Sequence, residues 1–67
     1  MIEVTLNGEK RQFETPITIE DMIVSLGFRP QWVVVELNAQ PLIKEDYSSI
    51  KISSGDHIEL VRAVAGG

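Results

Sequence analysis

Trp32-Val33-Val34-Val35-Glu36-Leu37 is the stretch from which the fold is read. It is β-branched and aromatic almost throughout, the composition that suits a pleated, half-buried surface. Pro30 breaks the chain before it, and Asn38-Ala39-Gln40-Pro41 reads as a turn after it. Successive side chains of a strand point to opposite faces, so if Val33, Val35 and Leu37 enter a core, Trp32, Val34 and Glu36 face outward. The strand therefore has apolar residues on both faces. It needs a covering layer on one side and leaves a valine exposed on the other.

The covering layer lies upstream. Thr18 is placed as a helix N-cap with Asp21 three residues later, an approximate capping box, and Ile17 with Met22 forms a candidate hydrophobic staple. Ile19, Met22, Ile23 and Leu26 share one helical face, and Gly27 can end the helix in the left-handed region. Such a helix is below the ~12 residues needed for marginal stability in isolation, so it must rely on burial. Before it, Ile2, Val4 and Leu6 alternate with Glu3 and Thr5, which predicts a strand from Ile2 to Leu6. Asn7-Gly8 suits a two-residue hairpin turn, and a returning strand is expected from Arg11 to Glu14 with Phe13 inward. Thr15-Pro16 ends it.

Downstream, Leu42 and Ile43 are expected as a short edge strand, and Lys44 to Ser49 as an irregular or single-turn segment anchored by Tyr47. Ile50 and Ile52 are expected to point inward. Ser54-Gly55-Asp56 reads as a tight turn, and His57 to Val61 as the last strand with Ile58 and Leu60 inward. The order is strand, strand, helix, strand, short strand, strand, with residues 63–67 as a flexible functional tail on a single domain. A hairpin, a helix crossing one face and a later valine-rich strand can be joined by the right-handed crossover that parallel neighbours require. The economical architecture is an α+β fold of the β-grasp type, a mixed sheet of about five strands with one short helix on one face.

Size and charge narrow the function. The chain has 67 residues and no cysteine, which leaves no disulfide, no thiolate zinc site and no cysteine nucleophile. Six basic against ten acidic residues give a formal net charge of −4, which opposes the phosphate contacts that dominate nucleic-acid affinity. Met1-Ile2-Glu3-Val4 lacks the features of a signal peptide, and no apolar stretch approaches the ~20 residues of a membrane span, so a soluble, cytoplasmic protein is expected.

Catalytic constellations are hard to find. His57 stands after a turn with no second histidine, no cysteine and no motif that would make it a ligand. Glu20-Asp21 suits a helix N-terminus, and Glu45-Asp46 solvates a loop. Gly8, Gly27 and Gly55 fall at turns and do not form a phosphate loop. No metal site and no bound cofactor are expected in this chain.

The remaining feature is Val61-Arg62-Ala63-Val64-Ala65-Gly66-Gly67. Adjacent glycines remove the Cβ atoms nearest the end, so the backbone can pass a narrow channel that larger residues would block. Beyond a strand ending near Arg62, residues 63–67 could extend roughly 16 Å, enough to enter a partner's pocket. The stretch from Gly55 through Gly67 resembles the end of the thiamine-biosynthesis sulfur carriers, a ubiquitin-like β-grasp family. The early Leu6-Asn7-Gly8, Thr18 before the helix and Val33-Val34-Val35-Glu36-Leu37-Asn38 support the likeness over essentially the whole chain. The chain departs from that family at Ala39, where glycine is common, and in having Pro41 but no proline near Ile43.

The resemblance implies a co-substrate, not an enzyme. An ionised α-carboxylate is a poor electrophile and must be activated. In such carriers an E1-like adenylyltransferase uses ATP and magnesium to convert the terminal glycine, here Gly67 behind Ala65 and Gly66, into an acyl-adenylate. Sulfur drawn from cysteine through a desulfurase then displaces AMP. The resulting thiocarboxylate is accepted by thiazole synthase. Alternatives are a sulfur carrier for molybdopterin or another pathway, and a ubiquitin-like binding module that leaves Gly67 idle. The outward face around Val34 and Val61, with Ala63 toward the tail, is expected to dock the activating enzyme, although exposed valines also satisfy strand propensity alone.

Overall fold

The alternation at Ile2–Leu6 folds as β1, with Val4 and Leu6 buried. Asn7 and Gly8 take φ of 50° and 83°, the left-handed pair of a two-residue hairpin, so the partner strand begins at once. That strand, β2, spans Glu9–Phe13 and pairs antiparallel to β1 from Leu6↔Glu9 to Ile2↔Phe13. It therefore starts and ends earlier than the expected Arg11 to Glu14, because a two-residue turn leaves no room for unpaired residues at 9 and 10. This computed structural model describes residues 1–62. The tail assigned to 63–67 lies outside the described residues.

The one α-helix among the described residues, α1, runs Ile19–Ser25. Its start is as expected, since the Thr18 side chain accepts the Asp21 amide at 3.0 Å. Its end is a Schellman motif: the Phe28 amide donates to the Ile23 carbonyl and the Gly27 amide to the Val24 carbonyl, with Gly27 at φ 89°. Ile19, Met22 and Ile23 are fully buried against the sheet. At about 1.5–3 kcal/mol for each such side chain, this burial offsets the weakness of a seven-residue helix.

Pro30–Trp32 forms a short 3-10 turn, so Trp32 stands just before the valine strand and not within it. That strand, β3, spans Val33–Leu37 with Val33 and Val35 buried and Val34 exposed, the predicted alternation. Asn38 and Ala39 again make a two-residue left-handed turn, at φ 52° and 67°, so the edge strand β4 forms at Gln40–Pro41 instead of Leu42-Ile43. Proline is tolerated there because an edge strand need not donate from every residue. A 3-10 turn at Lys44–Asp46 leads to Tyr47, which is buried and whose hydroxyl donates to the Val33 carbonyl at 2.9 Å.

The last strand, β5, spans His57–Arg62, with Ile58 and Leu60 buried. The sheet order is β2-β1-β5-β3-β4. β5 runs parallel to β1 and antiparallel to β3, so the parallel neighbour of the first hairpin is the last strand and not the valine-rich β3, within the mixed β-grasp sheet expected. Ile50 and Phe13 pack half-buried at the edge of the core, and Ile52 lies within it.

Candidate functional site

The site of interest is the root of the tail, and β5 builds it. Four of its bonds come from two asparagines placed at turns. Asn7 gives its side-chain amide to the Leu60 carbonyl at 3.1 Å and takes the Leu60 amide at 2.7 Å. At the opposite end, the His57 amide donates to Asn38 Oδ1 at 2.9 Å and the Asn38 amide to the His57 carbonyl at 2.7 Å. Asn38 Nδ2 also donates to Asp56 Oδ1 at 3.1 Å. The central strand is thus held laterally by both neighbours and tied near both ends.

Arg62, the last described residue, registers with inward-facing Val33, and its guanidinium lies over the Phe28 ring, 5.7 Å from the centroid. Phe28 is in place because the Schellman turn after α1 carries it onto the core. Sequence reasoning missed this contact. A hydrophobic residue directly after the helix-ending Gly27 was the signal that could have found it.

The face away from α1 carries the two predicted docking residues. Val34 and Val61 are register partners on adjacent central strands, and they keep 47% and 63% of their side-chain-bearing surface exposed. Period-2 geometry puts Glu36 and Glu59 on the same face, also directly opposite each other. The other predicted site residues, Ala63, Ala65, Gly66 and Gly67, lie outside the described residues.

A groove lined by Glu20, Asp21, Lys44 and Tyr47 among others lies beside the helix. Tyr47 is committed to the Val33 carbonyl there, and burial pushes its hydroxyl above the usual phenol range. Among the described residues no charged side chain is buried and no group of His, Asp or Glu could hold a metal ion. Among the described residues no helix is long and apolar enough to cross a membrane. His57 is exposed, and its backbone, not its imidazole, makes the contact to Asn38.

A five-stranded mixed sheet in the order β2-β1-β5-β3-β4 with one helix on a face defines a class, the ubiquitin-like β-grasp fold. Within it the chain belongs to the ThiS family, whose family model matches residues 4–67. It is 33% identical over 63 residues to the sulfur carrier protein ThiS of Bacillus subtilis, covering 92% of this chain and 96% of that one. It is 32% identical over 66 residues to a thiazole synthase of Paramagnetospirillum magneticum, covering 98% of this chain but 20% of that protein. The chain thus spans about one fifth of the length of that relative. The fold matches the crystal structure of the thiamine biosynthesis protein ThiS from Geobacter metallireducens, with a TM-score of 0.82 at 23% identity, covering 98% of this chain and all of that one.

Proposed function

We propose that this chain is a sulfur carrier of thiamine biosynthesis, a protein co-substrate whose Gly67 carboxylate is the reacting group. The observation that carries this reading is the match to a relative named a sulfur carrier along 96% of that relative's length, joined to a family match that includes Gly66 and Gly67. The likeness to a segment of a thiazole synthase supports thiazole synthase as the acceptor.

Gly67 is activated by an E1-like adenylyltransferase that holds ATP and magnesium; this chain binds neither. A carboxylate oxygen attacks the α-phosphorus and pyrophosphate leaves. The acyl-adenylate has a neutralised carbonyl and a good leaving group, so the outer sulfur of a persulfide supplied by a cysteine desulfurase adds to the carbon and AMP departs; a thiol reductant then cleaves the resulting acyl disulfide and leaves the thiocarboxylate. The fold's contribution is presentation. β5 is tied by Asn7 and Asn38, so its end at Arg62 keeps a fixed relation to the Val34 and Val61 face on which the enzyme docks, and Ala63 is proposed as a further contact of that enzyme.

Intact mass spectrometry tests the reading. Incubation with the adenylyltransferase of the same organism, ATP, magnesium, cysteine, desulfurase and a thiol reductant should replace one oxygen by one sulfur, with the change confined to Gly67. An unchanged mass after full turnover conditions would refute it.

A further inference from the structure

Glu36 and Glu59 stand directly opposite each other on adjacent central strands, two residues from the Val34–Val61 pair on the same exposed face. Like charges placed directly across a sheet weaken it. No salt bridge among the described residues reaches either carboxylate, and His57, on the same face of β5, stands two residues from Glu59. Among the described residues the ion pair on this face is Lys10 with Glu3 at 3.5 Å, on β2 and β1, which β5 separates from β3. Arg62 is near in sequence but lies on the other side of the sheet, over Phe28. The carboxylates of Glu36 and Glu59 are therefore a pair without a salt bridge beside an exposed apolar pair.

Building on the docking role given above to Val34 and Val61, we infer that this face recognises a partner protein that sets an arginine between Glu36 and Glu59, beside an apolar side chain packed on the two valines. A planar guanidinium offers donors along two edges and can serve both carboxylates, whereas an ammonium is a single point charge. The arginine also removes the repulsion that the free chain carries, so the charge pair favours the complex over the free state. A second copy does not fit: a two-fold contact would bring two acidic faces together on a chain of net charge −4. The occupant is a basic, apolar-centred protein surface.

Calorimetric titration of the full chain against the adenylyltransferase of its organism tests this, with Glu36→Gln/Glu59→Gln, Glu3→Gln and Val34→Asp compared. The double glutamine variant should bind about tenfold or more weakly, while melting no lower than the parent. Raising salt from roughly 0.05 to 0.5 M should weaken the parent but hardly affect the double variant. Glu3→Gln should bind as the parent does. Undiminished affinity in the double variant with weakened binding by Val34→Asp would overturn the arginine while keeping the docking face. If Val34→Asp also binds normally, the docking face itself fails. A parent chain that sediments as a dimer dissociated by Val34→Asp would give the face to a second copy and overturn the inference.

Discussion

The side chain of Asn7 pairs with the backbone of Leu60 as another strand would, giving and taking one hydrogen bond across 53 residues of sequence. β1 has already turned away at this point, with Asn7 at φ 50°, and its amide side chain adds one more rung to the parallel ladder. Asn7→Ala should therefore destabilise the fold by about 2–3 kcal/mol, combining two lost hydrogen bonds with left-handed strain. Urea denaturation measures the total. Hydrogen exchange at the Leu60 amide should accelerate most, and unchanged protection there would contradict the role.

At the second hairpin the strain is already present. Ala39 sits at φ 67°, a conformation costing a residue with a Cβ about 1–2 kcal/mol, part of which glycine returns as unfolded-state entropy. Ala39→Gly should stabilise the chain by about 0.5–1 kcal/mol. A lower melting temperature would show that the turn relaxes in solution.

Tyr47 supplies a pH test. Burial raises the pKa of its hydroxyl above the unfolded value near 10, so neutral Tyr47 contributes stability in full below that pH, lost progressively as pH rises above it. Tyr47→Phe should cost about 1–2 kcal/mol at neutral pH through the bond to Val33. Its deficit relative to the parent should shrink above pH ~10. A gap constant from neutral to strongly alkaline pH would argue against a buried, neutral phenol.

Val34→Asp and Val61→Asp should each leave the free fold close to the parent, since both side chains are already exposed. Each should weaken docking to the adenylyltransferase by about 2–5 kcal/mol by burying an unpaired charge in the complex. Unfolding of either variant would mean that the face is structural.

Deleting Gly67, or extending the chain beyond it, should abolish sulfur loading while the circular dichroism spectrum and melting curve stay unchanged. Thiocarboxylate formation on a chain lacking Gly67 would end the carrier reading.

Much of this was legible because local rules and burial agree. The alternation at Ile2–Leu6 and Val33–Leu37, the Thr18 cap and the Gly27 stop all appear as read. What sequence left undetermined was register. β2 and β4 both begin directly after turns of two left-handed residues, and at Asn38-Ala39 the second residue is not the glycine that signals such a turn. The exposed valine pair followed from period-2 logic. The opposition of Glu36 to Glu59 did not, because it depends on how two strands separated by a long connection slide against each other.

The sheet order has a consequence for synthesis. β1–β2 and β3–β4 are separate hairpins, and β5 alone joins them, lying between β1 and β3. A chain still emerging from the ribosome, made only as far as residue 56, holds two unattached halves and an unsupported helix. Closure waits for the strand that bears the tail, because its pairings with β1 are the most distant in sequence and the last to become available. Unfinished chains therefore lack the Val34–Val61 pair, since it takes both β3 and β5 to form it.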